Sequence, residues 1–284
     1  MFDRFVVVDW SASSTPKRGR DSIWIATRDA VDLSVANPPT RCEAEEMLVE
    51  SLCHGGTTLL AVDFSLGFPV GTADALGLDG RSWAAMATLL AELIVDRADN
   101  TNNRFEVASA LNERITGSAA PFWGCPPSRR TATLGSTKPL GSPSLPEWRG
   151  VEGLLRERGH RPFSSWQLLG AGAVGSQSLL GIPMLFRLAA RLGERVQVWP
   201  FADGLRVPEL DADSVVVAEV WPSMHPLAEE GSEVRDAQQV VAVADWLTSL
   251  DRCDEIGALF TPEVSDDVRP GVVDEEGWVL GVAG

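Results

Sequence analysis

Four acidic residues, Asp9, Asp63, Glu219 and Asp236, have the types and the spacing to do chemistry. Three of them lie at or near the end of a short apolar run. Asp9 ends Phe-Val-Val-Val-Asp over residues 5–9, and Asp63 ends Thr-Thr-Leu-Leu-Ala-Val-Asp over residues 57–63. Glu219 lies within Ser-Val-Val-Val-Ala-Glu-Val-Trp-Pro over residues 214–222. Bulky apolar runs without helical spacing suit strands buried on both faces. A carboxylate at the carboxyl end of such a strand has a fixed backbone and a side chain at the crevice where open α/β sheets place their chemistry. Asp236 falls in the first turn of a well-patterned helix over residues 234–247, where an acid also suits the helix dipole. Acids converging from several strands and one helix match the needs of Mg²⁺ or Mn²⁺, which take oxygen ligands and few of them from protein. Two such ions can activate water and stabilise the leaving oxygen of an in-line phosphoryl displacement. The plainer reading of each acid alone is a turn cap.

A second motif is glycine-rich. Gly170, Gly172 and Gly175 match G-x-G-x-x-G, between an expected strand over residues 162–169 and an apolar helix reaching Leu192. A dinucleotide site asks for an acid at the end of the next strand, about 20 residues on. Here that strand, over residues 196–201, is broken by Pro200, and Asp203 comes late. Two other readings remain, a backbone-amide nest for a phosphate group and a structural glycine turn. Nucleophilic catalysis has little support, because G-x-S-x-G and H-E-x-x-H are both missing. His54, His160 and His225 stand in unrelated contexts; His225 reads either as a neighbour of the Glu219 site or as an ordinary loop residue. Lys17, Arg18 and Arg20 closely follow Asp9 and read as a solvated hairpin or a phosphate contact.

The elements that must position these residues follow from pattern. After the first strand and a polar loop over residues 11–20, residues 21–26 read as a returning strand and residues 31–35 as a short third one. Thr40 and Glu43 form a capping box for a helix through about Leu52, stopped by Gly55 and Gly56. The strand ending at Asp63 comes next. Strand, turn, strand, short strand, helix, strand is the front half of a ribonuclease H-like fold, and right-handed crossover would seat the fourth strand beside the first. Helices are expected over residues 81–95, 103–114 and 147–158, and a last strand over residues 274–281. Between residues 98 and 149 the chain is punctuated by Pro121, Pro126, Pro127, Pro139, Pro143 and Pro146 and carries Arg129, Arg130 and Lys138. A loop of that length is functional or disordered, and a lid is one expectation.

Length and composition set outer limits. A chain of 284 residues with 44% hydrophobic and 23% charged residues can bury a substantial core. A net charge of −16 gives no general attraction for nucleic acid or anionic membranes. Cys42, Cys53, Cys125 and Cys253 form no C-x-x-C and read as reduced structural thiols. No signal-peptide pattern and no stretch of membrane-spanning length is seen, so the expectation is a cytoplasmic protein without membrane contact.

The chain resembles the DUF429 family of predicted ribonuclease H-like nucleases. The likeness is carried by Val-Val-Val-Asp at Asp9, Ala-Val-Asp-Phe-Ser-Leu-Gly-Phe-Pro from Ala61 to Pro69, Ala-Glu-Val-Trp-Pro-Ser at Glu219, and the helix opening at Asp236. Where that family has a histidine after Glu-Val, this chain has Trp221, with His225 further on. The fold expected is α/β, a ribonuclease H-like mixed sheet flanked by helices, as one domain over residues 1–284 with a large insertion or lid over residues 99–212. The function expected is a Mg²⁺- or Mn²⁺-dependent phosphodiester hydrolase, a nuclease. Asp9 and Asp63 would hold the metals, Glu219 would complete the shell, and Asp236 would bind a second ion or orient water. Its partner would be nucleic acid or a small phosphorylated ligand. The alternative is a non-catalytic protein that binds a nucleotide or another phosphorylated small molecule at the turn over residues 170–175.

Overall fold

Phe5, Val6, Val7 and Val8 are buried on both sides of β1 (Arg4–Asp9), the strand to which the sheet is built in both directions. The computed structural model describes residues 1–80, 82–140, 144–170, 172–227 and 234–284. On one side of β1, β2 (Trp24–Asp29) pairs antiparallel with it, and β3 (Leu33–Ala36) pairs antiparallel with β2. Helix α1 (Arg41–Cys53) then crosses over, its N-terminus capped by Thr40, whose side chain accepts from the Glu43 amide at 3.2 Å. Positive φ at Gly55 and Gly56 turns the chain out of it into β4 (Thr58–Val62), parallel to β1 on its other side. Later in the chain come β5 (Val196–Val198) and β6 (Val215–Glu219), and β6 pairs parallel with both β4 and β5. The sheet is mixed and six-stranded, in the order β3-β2-β1-β4-β6-β5.

Alternation along the central strands divides the core into two layers. Val6, Val8, Leu60 and Val62 pack with Leu48 and Leu52 of α1 and with leucines of two later helices, α3 (Ser82–Leu93) and α6 (Val174–Leu192). The short α2 (Thr72–Ala75) precedes α3. Phe5, Val7, Leu59 and Ala61 face the opposite way. They pack with Val151 and Leu155 of α5 (Gly150–Glu157) and with Val240, Val243 and Leu247 of α7 (Arg235–Arg252).

Residues 99–212 divide between the layers and the end of the sheet. Helix α6 covers one sheet face, and β5 extends the sheet at its edge, so these two parts of the stretch are framework. The proline-punctuated stretch after α4 (Arg104–Thr116) is packed: Phe122 meets Trp166 at 4.8 Å between ring centroids, and Trp166 stacks on Phe68 at 5.4 Å. Asn112 pins it, donating to the carbonyls of Phe122 and Thr133 and accepting from the Phe122 amide. The expected helix start at Arg81 and the Pro143 of this stretch lie outside the described residues. Two expected strands are not formed. Residues 162–169 contribute one bridge, Trp123 to Gln167, and residues 274–281 one, Glu219 to Val279. Their apolar residues reflect burial, as with Trp166, Leu168, Trp278 and Leu280, without ladder pairing. Among the described residues, no helix is long and apolar enough to cross a membrane.

Helix α6 is seated close to the strand end that carries Asp63. A methyl at Gly181 would come within 2.4 Å of the Phe64 ring, whereas one at Gly153 of α5 meets nothing within 4 Å. Replacing glycine by alanine inside a helix gains about 1 kcal/mol from propensity, and overpacking costs about 1–3 kcal/mol. Gly153→Ala is therefore expected to stabilise the protein and Gly181→Ala to destabilise it, read by urea unfolding. A Gly181→Ala protein as stable as the wild type would show that α6 is not seated this tightly.

Candidate active site

The register of β1 and β4 places the first two acids. Val8 is paired with Val62, and the Asp63 amide donates to the Val8 carbonyl at 2.9 Å, so Asp9 and Asp63 leave adjoining strand ends together. Val8 and Val62 point into the α6 layer; the next residues, by the pleat, turn toward the α7 layer. Helix α7 packs across β1 and β2 and brings its first-turn Asp236 to the same place. All three carboxylates line one cavity of about 1020 Å³. Asp236 is oriented by the Asp21 amide, which donates to its Oδ2 at 2.6 Å. The carboxylates of Asp9 and Asp63 have no hydrogen bond or ion pair among the described residues.

Glu219 lines the cavity too, but its environment differs. It is in register with Val62, one residue short of Asp63, so the pleat turns it the other way. Arg149 Nη2 meets its Oε1 at 2.6 Å and Nη1 its Oε2 at 2.7 Å, while the Leu66 amide donates to Oε2 at 3.0 Å. The same guanidinium donates to Glu152 Oε1 through Nε at 2.9 Å and Nη2 at 2.8 Å, and to the Glu276 carbonyl. Arg149 and Glu219 are both buried. Glu219, expected to complete a metal shell, thus has both oxygens already engaged, by a guanidinium that it shares with Glu152 and by the Leu66 amide. The converging set is Asp9, Asp63 and Asp236.

Burial and mutual repulsion set the protonation of that set. The Asp63 carboxyl is pushed up to about 7, first by burial and then by the charges of Glu219 and Asp236. Asp9 is raised well above the usual carboxylate range, by burial and then by Asp63, Asp236 and Asp21. The donors are hard oxygens, and the repulsion among them is what a divalent cation would relieve, so they fit Mg²⁺ or Mn²⁺. Among the described residues, no three His, Cys, Asp or Glu side chains are gathered into a ready-made metal cage. Mg²⁺ keeps much of its own water and needs only one or two carboxylates.

The glycine turn reaches the cavity wall through Gly170 and Gly172, and the amides of Val174 and Gly175 are spent within it. The Val174 amide bonds the Gly172 carbonyl at 2.7 Å, and the Gly175 amide bonds the Gln167 carbonyl at 3.0 Å. A Cβ at Gly172 would meet the Phe163 ring at 2.0 Å, and one at Gly175 the Ser165 carbonyl oxygen at 2.3 Å, so close packing explains these two glycines. His225 lies against Trp246, 4.2 Å between ring centroids, where burial lowers its pKa. Of the basic loop, Lys17 and Arg20 both face Asp21, at 3.6 and 3.8 Å, and Arg18 bonds the Asn37 carbonyl. Two cavity residues had no signal in the sequence, Arg149 and Arg104.

No protein-family model, curated protein or solved structure matches this chain. What the fold and the cavity define is an α/β protein with an acidic crevice at the carboxyl ends of parallel strands.

Two outcomes follow from the charges. Below the ordinary carboxylate pKa, both folded and unfolded states hold the Asp63 proton. Between about 4 and 7 only the folded state does, so stability falls as pH rises, by 1.36 kcal/mol per unit for one group. Above 7 the folded state carries the full penalty, on the order of a few kcal/mol. Asp63→Asn is expected to raise Tm by roughly 5 °C or more at pH 8 and by less at pH 5, measured by calorimetry. An unchanged Tm at pH 8 would mean that the charge is not strained. Arg149→Met leaves two buried carboxylates without a cation, and a loss of roughly 3–5 kcal/mol is expected in urea unfolding.

Proposed function

We propose that the protein is a divalent-metal-dependent phosphodiester hydrolase of ribonuclease H-like type. The observation that carries this reading is the pair Asp9 and Asp63, acids without an ion-pair partner among the described residues at adjoining ends of parallel strands, lining one cavity with Asp236. Support comes also from the strand order, in which an antiparallel meander is followed by a parallel strand beside the first, and from the motif likeness to the DUF429 family.

Asp9 and Asp63 would hold Mg²⁺ or Mn²⁺, which when bound supplies charge neutralisation at the phosphoryl group and an acidified water. Asp236, fixed through Oδ2 by the Asp21 amide, has Oδ1 left to orient a water or a metal-bound ligand. Arg149 keeps Glu219 and the backbone at Leu66 in place, so the turn after β4 is rigid where the substrate would lie. Phe163 and Trp221 give the cavity apolar wall against which a base or other flat group packs and water is excluded. The charge of −16 favours a small phosphodiester or the end of a chain over long nucleic acid.

The test is Mn²⁺-dependent cleavage of RNA, DNA and bis(4-nitrophenyl) phosphate by wild type and Asp9→Asn. Wild-type activity is expected to vanish on chelation and to fall at least ~10³-fold in Asp9→Asn. Mn²⁺ should raise the Tm of the wild type and not of the variant. Equal rates in the two proteins, with no metal-dependent Tm shift, would end the proposal.

A further inference from the structure

Arg104 lies in the same cavity wall, and its charge is unanswered. It is only 6% exposed, yet it forms no salt bridge among the described residues. Its partners are neutral. Nε donates to Ser176 Oγ at 2.9 Å, and Nη1 to Ser14 Oγ at 2.9 Å and Asn102 Oδ1 at 2.8 Å. The guanidinium also lies 4.3 Å from the centroid of the Phe105 ring. Nη2 has no hydrogen-bond partner among the described residues. Ser176 is itself fixed, donating to the Leu168 carbonyl at 2.6 Å, so the arginine is held in one orientation.

The neighbouring arginines show what a structural role looks like here. Arg41 takes Asp96 with Nε and Nη2, both at 2.6 Å, and adds the carbonyls of Ser11, Ser13 and Asn100. Arg149 takes two glutamates. Asp96 and Glu106, the acids whose charges reach Arg104, are already paired, with Arg41 and Arg129. Burial, and then the charge of Arg41, lower the Arg104 pKa to about 10. A buried cation without an anion costs several kcal/mol, and a rigid guanidinium with a free edge matches the oxygens of a phosphate. The acids on the opposite strand ends repel such a group, so it would be placed at Arg104 and apart from them.

We propose that Arg104 anchors a second phosphate group of the substrate, distinct from the phosphodiester at Asp9 and Asp63. The word substrate rests on the hydrolase reading; the anion site does not. Ser14, Asn102 and Ser176 are positioning residues that aim the guanidinium, and Phe163, 43% exposed and lining the same cavity, offers a ring to a base carried by that phosphate.

Binding is measured by calorimetry without metal, using thymidine 5′-monophosphate and thymidine, on wild type, Arg104→Gln and Arg104→Lys. The wild type is expected to prefer the monophosphate by roughly 10- to 100-fold, the value of a hydrogen-bonded charge pair. Arg104→Gln should lose that preference while keeping its Mn²⁺-induced Tm rise, and Arg104→Lys should keep part of it. A wild type that does not distinguish the two ligands would overturn the proposal, whether or not the variants fold. So would an Arg104→Gln protein with the wild-type preference. A preference that depends on Arg104, without cleavage of any diester, would sustain the anchor and remove the hydrolase. Cleavage of a thymidine dinucleotide with no gain from a 5′-phosphate would do the reverse.

Discussion

The parallel register of β1 and β4 forces two like charges together, and no cation of the described protein stands beside them. Strand pairing fixes Val8 against Val62, and the next residue on each strand is an aspartate. Neither backbone can shift to relieve the repulsion without slipping a register that buries Phe5 through Val8 on one strand and Leu59 through Val62 on the other. Slippage by one residue would exchange the side chains that a strand sends into the two layers, against packing already fitted to them. The proteins that tolerate such strain hold it at functional sites. That is why the raised pKa of Asp63 is more informative than its position alone.

The third strand acid shows the contrast. Glu219 is as deeply placed, but it is one residue out of phase, and Arg149 answers it with a two-pronged ion pair. Arg149 also ties α5, through Glu152, and the carboxyl-terminal segment, through the Glu276 carbonyl, to the same point. One guanidinium therefore joins three separated parts of the chain behind the cavity. Charge is neutralised where the wall must be rigid and left open on the floor. The same division holds for the arginines: Arg41 and Arg149 are bound by carboxylates, and Arg104 by hydroxyls and an amide.

The three central strands β1, β4 and β6 were legible because they are buried on both faces, so their sequences are apolar runs that end sharply on an acid. The crossover was legible from Thr40, Glu43 and the two glycines, which are local signals. Glu219 was recognised as a strand acid but not as an ion-pair partner. Its phase relative to Asp63 is decided by strand pairing, and its cation lies 70 positions away. Arg104 was invisible for the same reason: nothing in the residues around it separates a buried arginine from a solvated one. The glycines at 170, 172 and 175 were read from a ligand-binding pattern, whereas at Gly172 and Gly175 a phenyl ring and a carbonyl leave no room for a side chain, a tertiary cause that no motif encodes. Residues 274–281 misled because Trp278, Val279 and Leu280 are buried without being paired as a strand, and apolar spacing reports burial only.

The cavity is electrically lopsided, and this bears on which molecules it can accept. Its floor carries acids that a bare anion cannot approach, while its wall carries a buried cation that no carboxylate among the described residues pairs. A ligand with one negative centre meets only half of this field. A ligand with two separated anionic centres, one neutralised by a bound cation at the floor, meets all of it. The exterior, with its net charge of −16, repels polyanions in proportion to their length, so the field selects for few charges, correctly spaced. Selectivity of that kind comes from the distance between two fixed points on a rigid sheet and helix frame, and Arg149 and Ser176, by holding those points, contribute to it without touching the ligand.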